Sequence, residues 1–270
     1  MTRISRTIAI VLLLSAASPL IRADGDPVAL ILAKHAQAAG AEKIAETKTL
    51  IETRLVQIES GEYIQILYAK KPAKLRVEYL TARGRIVRVF DGTKTWGATE
   101  KRGGELRTLE LEPQEDKELR NAAITNEAFT DWLLAAQAQA ALIEPRENEP
   151  TADGQLLLFV TEKDQGQYRL KIDRQTGLLL AMYSTQKGRA IQYLYSKYKQ
   201  IDGIANPLEI RILVDGKESR RTRLSSIRYN VELDDALFSP PPQPDAIPSN
   251  PEHQPALQYP AADSHVRAQD

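Results

Sequence analysis

Cysteine is missing from all 270 residues of the sequence. Disulfide cross-links are therefore excluded, and so is the lipid-modified cysteine that would anchor a bacterial lipoprotein. Hydrophobic residues make up 42% of the chain, which is typical of a globular protein. The fold must therefore be stabilised by burial of a hydrophobic core.

An excess of either charge is also missing, because 36 basic residues balance 36 acidic ones. This balance argues against a nucleic-acid-binding protein that relies on a broad basic surface. Arg220, Arg221, Arg223 and Arg228 form a local basic group, but strand alternation places Arg221 and Arg223 on one side and the other two on the opposite side. We therefore favour a solvated surface over a site for lipid headgroups.

No apolar run is long enough for a membrane-spanning helix, which needs about 20 residues. The run at residues 8–17 follows Arg3 and Arg6, and a small residue, Ala23, stands at a suitable cleavage position. This pattern predicts a cleaved signal peptide at residues 1–23 and an exported, periplasmic protein, with an uncleaved anchor as the alternative. Cleavage would leave the mature chain mildly acidic.

Sequence motifs of common enzymes are absent, including G-x-S-x-G, the P-loop and G-x-G-x-x-G. His35 lies on an apolar helix face, and the other two histidines lie near the C-terminus, so we interpret His35 as structural. The acidic run at residues 110–118 is explained by the start of a helix near Pro113 rather than by a calcium site. We expect no catalytic residue, no metal and no cofactor.

The clearest structural signal is GRIVRVFDGTKTWG at residues 84–97, a hairpin pattern with an Asp-Gly turn. A two-residue loop at this pair would place Val87 opposite Trp96, with Val89 on the same side. Trp96 is therefore predicted to lie on the apolar face of a sheet.

Periodicity predicts an initial helix from Pro27, with Asp26 as its N-cap, and then a meander of antiparallel strands from Thr49. A helical interlude follows at residues 113–142, where Asn126 would cap a second helix carrying an apolar stripe. Further strands extend to about residue 229. We count ten or eleven strands, which indicates an α+β fold with a long curved antiparallel sheet.

Several strings in this order resemble the LolA-like superfamily, the periplasmic carriers of outer-membrane lipoproteins and their relatives. They are AAGAEKIAETKTL, FDGTKTW, YRLKIDRQTGLLL, YKQIDGIANPLEI and IRYNVELDDALFSPP. Together they span residues 38–241, and the order and spacing are more specific than any single string. The resemblance implies an open half-barrel lidded by helices in residues 24–239, followed by a proline-rich disordered tail at 240–270.

The resemblance also implies a non-catalytic carrier or binding protein for a lipid, a lipoprotein acyl chain or another apolar ligand. The aromatic stripe at 129–133 would belong to the lid, and the facing strands would line the cavity. The predicted ligand-binding residues are Tyr79, Val87, Val89, Phe90, Trp96, Phe129, Trp132 and Leu133. A filled sheet–helix core is the alternative interpretation of the same aromatic residues.

A second hypothesis is an envelope interaction or sensing protein that uses the same fold without transport. In this case the proline-rich tail would be a flexible docking segment for an envelope protein partner. We expect a monomer in either case.

Overall fold

The computed structural model describes residues 27–138, 141–145, 154–162 and 166–241. The predicted signal peptide and nearly all of the predicted tail lie outside these residues, so neither is assessed.

The described residues form α-helices and short 3-10 helices around a single sheet. The α-helices are α1 Pro27–Ala39, α2 Ala41–Glu46, α3 Pro113–Ile124 and α4 Trp132–Ala138, and the 3-10 helices are Glu127–Phe129 and Asp235–Phe238. The strands are β1 Thr49–Ile58, β2 Gly61–Lys70, β3 Lys74–Thr81, β4 Gly84–Phe90, β5 Thr95–Lys101, β6 Leu106–Leu109, β7 Leu142–Pro145, β8 Gln155–Glu162, β9 Gly166–Asp173, β10 Leu179–Gln186, β11 Arg189–Ile201, β12 Ile204–Val214 and β13 Lys217–Tyr229.

All 13 strands belong to one antiparallel sheet in the order β6-β5-β4-β3-β2-β1-β13-β12-β11-β10-β9-β8-β7. Strands β1 to β6 pair in consecutive order, as do β7 to β13, and β1 pairs with β13 at the centre. The sheet is not closed, because β6 and β7 form its two edges. The helical interlude connects these two edges.

This architecture is the α+β half-barrel with helical lids that the sequence predicted. The predicted strand count of ten or eleven was too low. The additional strands are β6 and β7, each of four residues, and both flank the helical interlude. Such short strands carry too little alternation to be recognised from the sequence.

Helix α1 begins at Pro27 as predicted, and its buried side chains include Ile31 and His35. Gly40 separates α1 from α2 with a φ of 82°. A Cβ at this position would lie 2.1 Å from the carbonyl oxygen of Gly203 in the β11–β12 turn. Only glycine fits both the left-handed backbone and this close approach.

The hairpin between β4 and β5 forms, but the predicted two-residue loop is wrong. The loop contains residues 91–94, and Val89 rather than Val87 lies opposite Trp96. The Asp91 carboxylate accepts the backbone N–H groups of Thr93 and Lys94 at 2.7 Å each, which favours the longer turn. Because the register shift is two residues, Val87, Val89 and Trp96 still share one face.

The two faces of the sheet are covered by different segments. Helices α1, α3 and α4 pack on one face, which we call the concave face, and form two hydrophobic clusters there. One cluster joins Ile31 and Leu133 to β8–β10, and the other joins α3 and Phe129 to β2–β4. The opposite, convex face carries a third cluster.

The expected position of Trp96 beneath the α4 helix is wrong, because Trp96, Val87 and Val89 belong to the convex cluster. They pack against residues 230–238, which we call the C-terminal strap. Phe90 is adjacent to Val89 and therefore points to the concave face, where it lies in the α3 cluster. The local pattern could not decide which side of the sheet this hairpin face occupies, because both faces of β4 bury hydrophobic residues.

The predicted helix after Asn126 is also different in the structure. Asn126 has a φ of 55° and makes no side-chain cap. The 3-10 helix at 127–129 ends before α4, and Asp131 is the residue whose carboxylate accepts the N–H groups of Leu133 and Leu134 at 3.0 Å. The predicted stripe is therefore divided, with Phe129 in one concave cluster and Leu133 in the other.

Candidate functional site

The concave face is hydrophobic at both ends and polar in the middle. On the central strand β1, Arg54 donates from Nη2 to the Glu52 carboxylate over 2.9 Å, and Gln65 of β2 lies directly opposite Arg54. The side chains of Arg54 and Glu52 are only 11% and 17% exposed. This charged pair borders the α3 cluster, because Leu67 of β2 and Ile227 of β13 flank Glu52 and both pack against that cluster.

Trp132 marks the boundary of the cluster beneath α4. It is the first residue of that helix, and its side chain remains 37% exposed. Its ring lies 5.8 Å from the Tyr168 ring in an edge-on arrangement and 6.2 Å from the Tyr193 ring. Tyr195 packs against the same hydrophobic cluster as Tyr193. We call Trp132, Tyr168, Tyr193 and Tyr195 the aromatic wall.

The tyrosines of this region remain uncharged. Burial raises the pKa of Tyr195 well above its usual value. Burial, and then the hydrogen bond to Glu162, raise the pKa of Tyr168. Burial likewise raises the pKa of Tyr198, whose hydroxyl donates to the Leu179 carbonyl over 2.7 Å. A neutral aromatic surface with one partly exposed tryptophan suits an apolar ligand.

The position of Trp132 depends on its neighbour Asp131. The Asp131 carboxylate caps α4 and also lies 3.0 Å from Nε2 of His35 in α1. The other ring nitrogen of His35, Nδ1, lies 2.8 Å from the Gly177 carbonyl oxygen in the β9–β10 turn. One buried histidine therefore joins α1, the start of α4 and the sheet.

His35 faces a hydrogen-bond acceptor at each ring nitrogen, so both nitrogens donate only in the protonated ring. Burial lowers its pKa, but the hydrogen bond and charge of Asp131 and the Gly177 carbonyl raise it, and the net pKa is raised. The side chain is 1% exposed. His35 thus has the structural position expected from the sequence, as the buried half of an ion pair with the partly exposed Asp131.

Helix α3 is attached to the other half of the concave face by its acidic residues. Arg88 of β4 donates to Glu115 over 2.6 Å and lies over the Tyr79 ring. Asp116 accepts hydrogen bonds from Thr95 and Arg120. Two carboxylates of the acidic run therefore bind side chains of the fold.

The predicted ligand-binding residues do not form one group. Five lie on the concave side: Tyr79, Phe90, Phe129, Trp132 and Leu133. Leu133 is fully buried, and Phe90 and Phe129 are 3% and 7% exposed, so these three are core residues in this structure. Tyr79 is half-buried with its ring 5.8 Å from that of Tyr63, and Trp132 is the most exposed of the five.

Sequence reasoning did not find Asp131, the tyrosines of the aromatic wall or the strap. An aspartate before the apolar sequence Trp-Leu-Leu is an N-cap pattern that could have identified Asp131. The tyrosines come from β9 and β11 and are far apart in the sequence, so their convergence needed the sheet order.

A separate groove of about 740 Å³ lies at the ends of β1 and β2, where the strap begins. Lys70 and Lys71 line it together with Asn126 and Leu233. Lys70 donates to the Leu233 carbonyl over 3.0 Å, and Lys71 donates to the Ile44 carbonyl over 3.0 Å. Both lysines therefore already bind carbonyl groups of the fold.

Within the described ranges, no group of His, Cys, Asp or Glu side chains has a metal-binding arrangement. In the same ranges, no helix is sufficiently long and apolar to span a membrane.

Solved structures similar to this chain include the following three. A DUF1329 family protein from Desulfovibrio piger is 14% identical, with 80% of this chain and 98% of that chain covered and a TM-score of 0.49. A putative outer membrane lipoprotein-sorting protein domain from Vibrio parahaemolyticus is 9% identical, with 76% and 97% covered and a TM-score of 0.46. A LolA superfamily protein from Nitrosomonas europaea is 13% identical, with 80% and 99% covered and a TM-score of 0.49.

All three identities are below 15% and all three TM-scores are below 0.5, so these likenesses assign neither a family nor a function to this chain. No family model and no curated protein sequence matches the chain.

Proposed function

We propose that this protein is a periplasmic, non-catalytic carrier or binding protein for a lipid, a lipoprotein acyl chain or another apolar ligand. The observation that supports this proposal is Trp132, a partly exposed tryptophan that begins the short helix α4 and packs on the uncharged rings of the other aromatic-wall residues. The predicted signal peptide supports the periplasmic location.

The ligand would contact Trp132 first. Tyr79, on the other side of the Arg54–Glu52 pair, would be a second point of contact. Each methylene that leaves water for the concave face would contribute about 0.8 kcal/mol. Phe90, Phe129 and Leu133 would become accessible only if a lid helix moved away from the sheet. Displacement of α4, which has seven residues, requires separation of fewer contacts than displacement of the longer α3.

The chain contains two tryptophans on opposite faces of the sheet, which provides a matched experiment. The Trp96→Phe variant reports on Trp132 alone, and the Trp132→Phe variant reports on Trp96 alone. We expect fatty acid or an acylated peptide to shift the fluorescence of Trp96→Phe to shorter wavelength and to leave that of Trp132→Phe unchanged.

A Trp132→Ala variant should bind the same probe about 5- to 30-fold more weakly, because an aromatic contact and buried area are lost. Mass spectrometry of protein purified gently from its native envelope should identify the bound lipid. Absence of both a bound lipid and a fluorescence response would contradict the proposal and favour the envelope interaction hypothesis.

A further inference from the structure

Two arginine–glutamate pairs of the same kind lie on opposite faces of the sheet. On the concave face, Arg54 of β1 donates to Glu52, two residues before it. On the convex face, Arg76 of β3 donates from Nε to Glu78, two residues after it, over 2.6 Å. The four side chains are between 8% and 17% exposed. The convex pair is therefore a close structural reference for the concave one.

The two pairs differ in the remaining N–H groups of the arginine. Arg76 Nη1 donates to the Leu237 carbonyl of the C-terminal strap over 2.8 Å. In the concave pair, by contrast, Arg54 Nη1 is buried and has no hydrogen-bond partner among the described residues. A buried guanidinium N–H without an acceptor is unfavourable, and the binding of an acceptor oxygen relieves this cost.

Apart from Glu52, the neighbours of Arg54 on the concave face are uncharged. Gln65 of β2 and Leu224 of β13 lie directly opposite Arg54, and both are half-buried. Val56 follows on the same face of β1. Among the residues that the structure describes, the Gln65 side-chain amide also has no hydrogen-bond partner. A mainly apolar surface with two such donors is typical of a site that orients a ligand.

This surface continues along the sheet to the aromatic wall. Val56 lies opposite Thr222 of β13, which lies opposite Ile210 of β12. Ile210 in turn lies opposite Tyr195 of the aromatic wall. This row of side chains crosses three strand spacings, which is about 14 Å along the sheet. An acyl chain whose polar end lies at Arg54 can therefore extend along the row to the aromatic wall.

The charge of the concave pair decides which polar end fits. The Glu52 carboxylate balances the charge of Arg54, so the pair as a whole is neutral. A free carboxylate would be buried beside Glu52 without a cation left to balance it, which is unfavourable. The carbonyl oxygen of an ester or an amide accepts the same N–H groups and brings no charge. On the convex face, the Leu237 carbonyl has this role.

We propose that Arg54 and Gln65 bind the carbonyl oxygen of an ester- or amide-linked acyl chain, and that Glu52 makes the site unfavourable for free fatty acids. This assignment rests on the proposed function, because it names the polar end of the same apolar ligand. Arg54 Nη1 and the Gln65 amide each donate a hydrogen bond to the carbonyl oxygen.

The test compares the binding of dodecanoate and methyl dodecanoate by equilibrium dialysis at neutral pH, where the free acid is ionised. The two probes share one apolar chain and differ in the charge of the polar end. The parent protein should bind the ester more tightly. Glu52→Gln keeps an acceptor oxygen but leaves the charge of Arg54 unbalanced. The affinity for dodecanoate relative to the ester should therefore rise about tenfold or more.

Glu78→Gln is the matched control, because it removes the same charge from the similarly buried convex pair. It should leave the affinity ratio at the parent value, whereas a general effect of lost stability would appear in both variants. Gln65→Leu keeps both charges of the concave pair, and should weaken binding of the ester about threefold to tenfold through loss of one donor.

An unchanged ratio in Glu52→Gln, or an equal change in Glu78→Gln, would overturn this assignment. The proposed function would stand in that case, because both probes would still bind. If the parent protein bound neither probe, both the assignment and the proposed function would be wrong.

Discussion

On the convex face, several side chains donate hydrogen bonds to the backbone of the C-terminal strap. On the concave face, the polar contacts of α4 with the rest of the fold pass mainly through Asp131. Trp96 Nε1 donates to the Phe238 carbonyl over 2.9 Å, and Arg76 Nη1 donates to the Leu237 carbonyl over 2.8 Å. These hydrogen bonds are accepted by successive residues of the strap, so the loss of one bond leaves the other in place.

The α4 side has fewer independent attachments. Asp131 is at once the helix cap and the partner of His35, so the loss of one carboxylate affects both interactions. Trp132 is 37% exposed, whereas Phe238 of the strap is 1% exposed. From this comparison we predict a permanent closure on the convex face and a movable one on the concave face.

The largest effect should come from Phe238→Ala in the strap. We expect this variant to lose about 3 to 5 kcal/mol of the free energy of unfolding, because a fully buried aromatic ring leaves a cavity. Urea denaturation measures the loss. Leu30→Ala, at a side chain that is 67% exposed, is the control and should change stability by about 0.5 kcal/mol or less. A small loss in Phe238→Ala would mean that the strap is not a permanent closure.

An intermediate effect should come from Asp131→Asn, which keeps an oxygen to cap α4 but removes the charge beside His35. The pKa of His35 is raised in the folded state. The stability that the His35–Asp131 pair contributes is therefore fully present below the unfolded-state pKa of His35, about 6.5, and is lost as the pH rises through its folded-state pKa.

Urea denaturation of the parent and Asp131→Asn at several pH values between about 5.5 and 9 measures this effect. The parent should be more stable by about 1.5 to 3 kcal/mol at the acidic end, and the difference should shrink as the pH rises. A constant difference across this range would show that the charge of His35 does not hold α4.

The smallest effect should come from Asp235→Asn, which removes the ion pairs of the strap with Lys70 and Lys74. Asp235 is 62% exposed, and exposed ion pairs contribute little to stability. We expect the urea midpoint to remain within experimental error of the parent value. A clear loss would assign the strap's attachment to these ion pairs rather than to Phe238 and the carbonyl bonds.

Much of the fold followed from local sequence patterns. Strand alternation, the turn residues and the start of α1 were recognisable because each depends on residues close in the chain. The face of the sheet on which a given side chain lies was less predictable, and the arginines of β13 show why. A register irregularity between Thr53 and Arg54 of β1 brings Arg228 to the same face as Arg221 and Arg223, against simple alternation.

The candidate site was less predictable than the fold. Spacing predicted a helical stripe with Trp132 and Leu133, and the resemblance assigned that stripe to the lid, but the tyrosines beneath them come from other strands. Their meeting depends on a sheet order in which β1 pairs with β13 and the two edges remain open.

The amino-acid sequence by itself predicted the longer strands, the positions of most turns and the placement of Val87, Val89 and Trp96 on one face, because alternation and turn chemistry are local properties. Only the tertiary structure decided that this face is the convex one. The helices and the strap both offered hydrophobic residues to the same hairpin, and the strap occupies the Trp96 side because Trp96 and Arg76 donate to its carbonyls there.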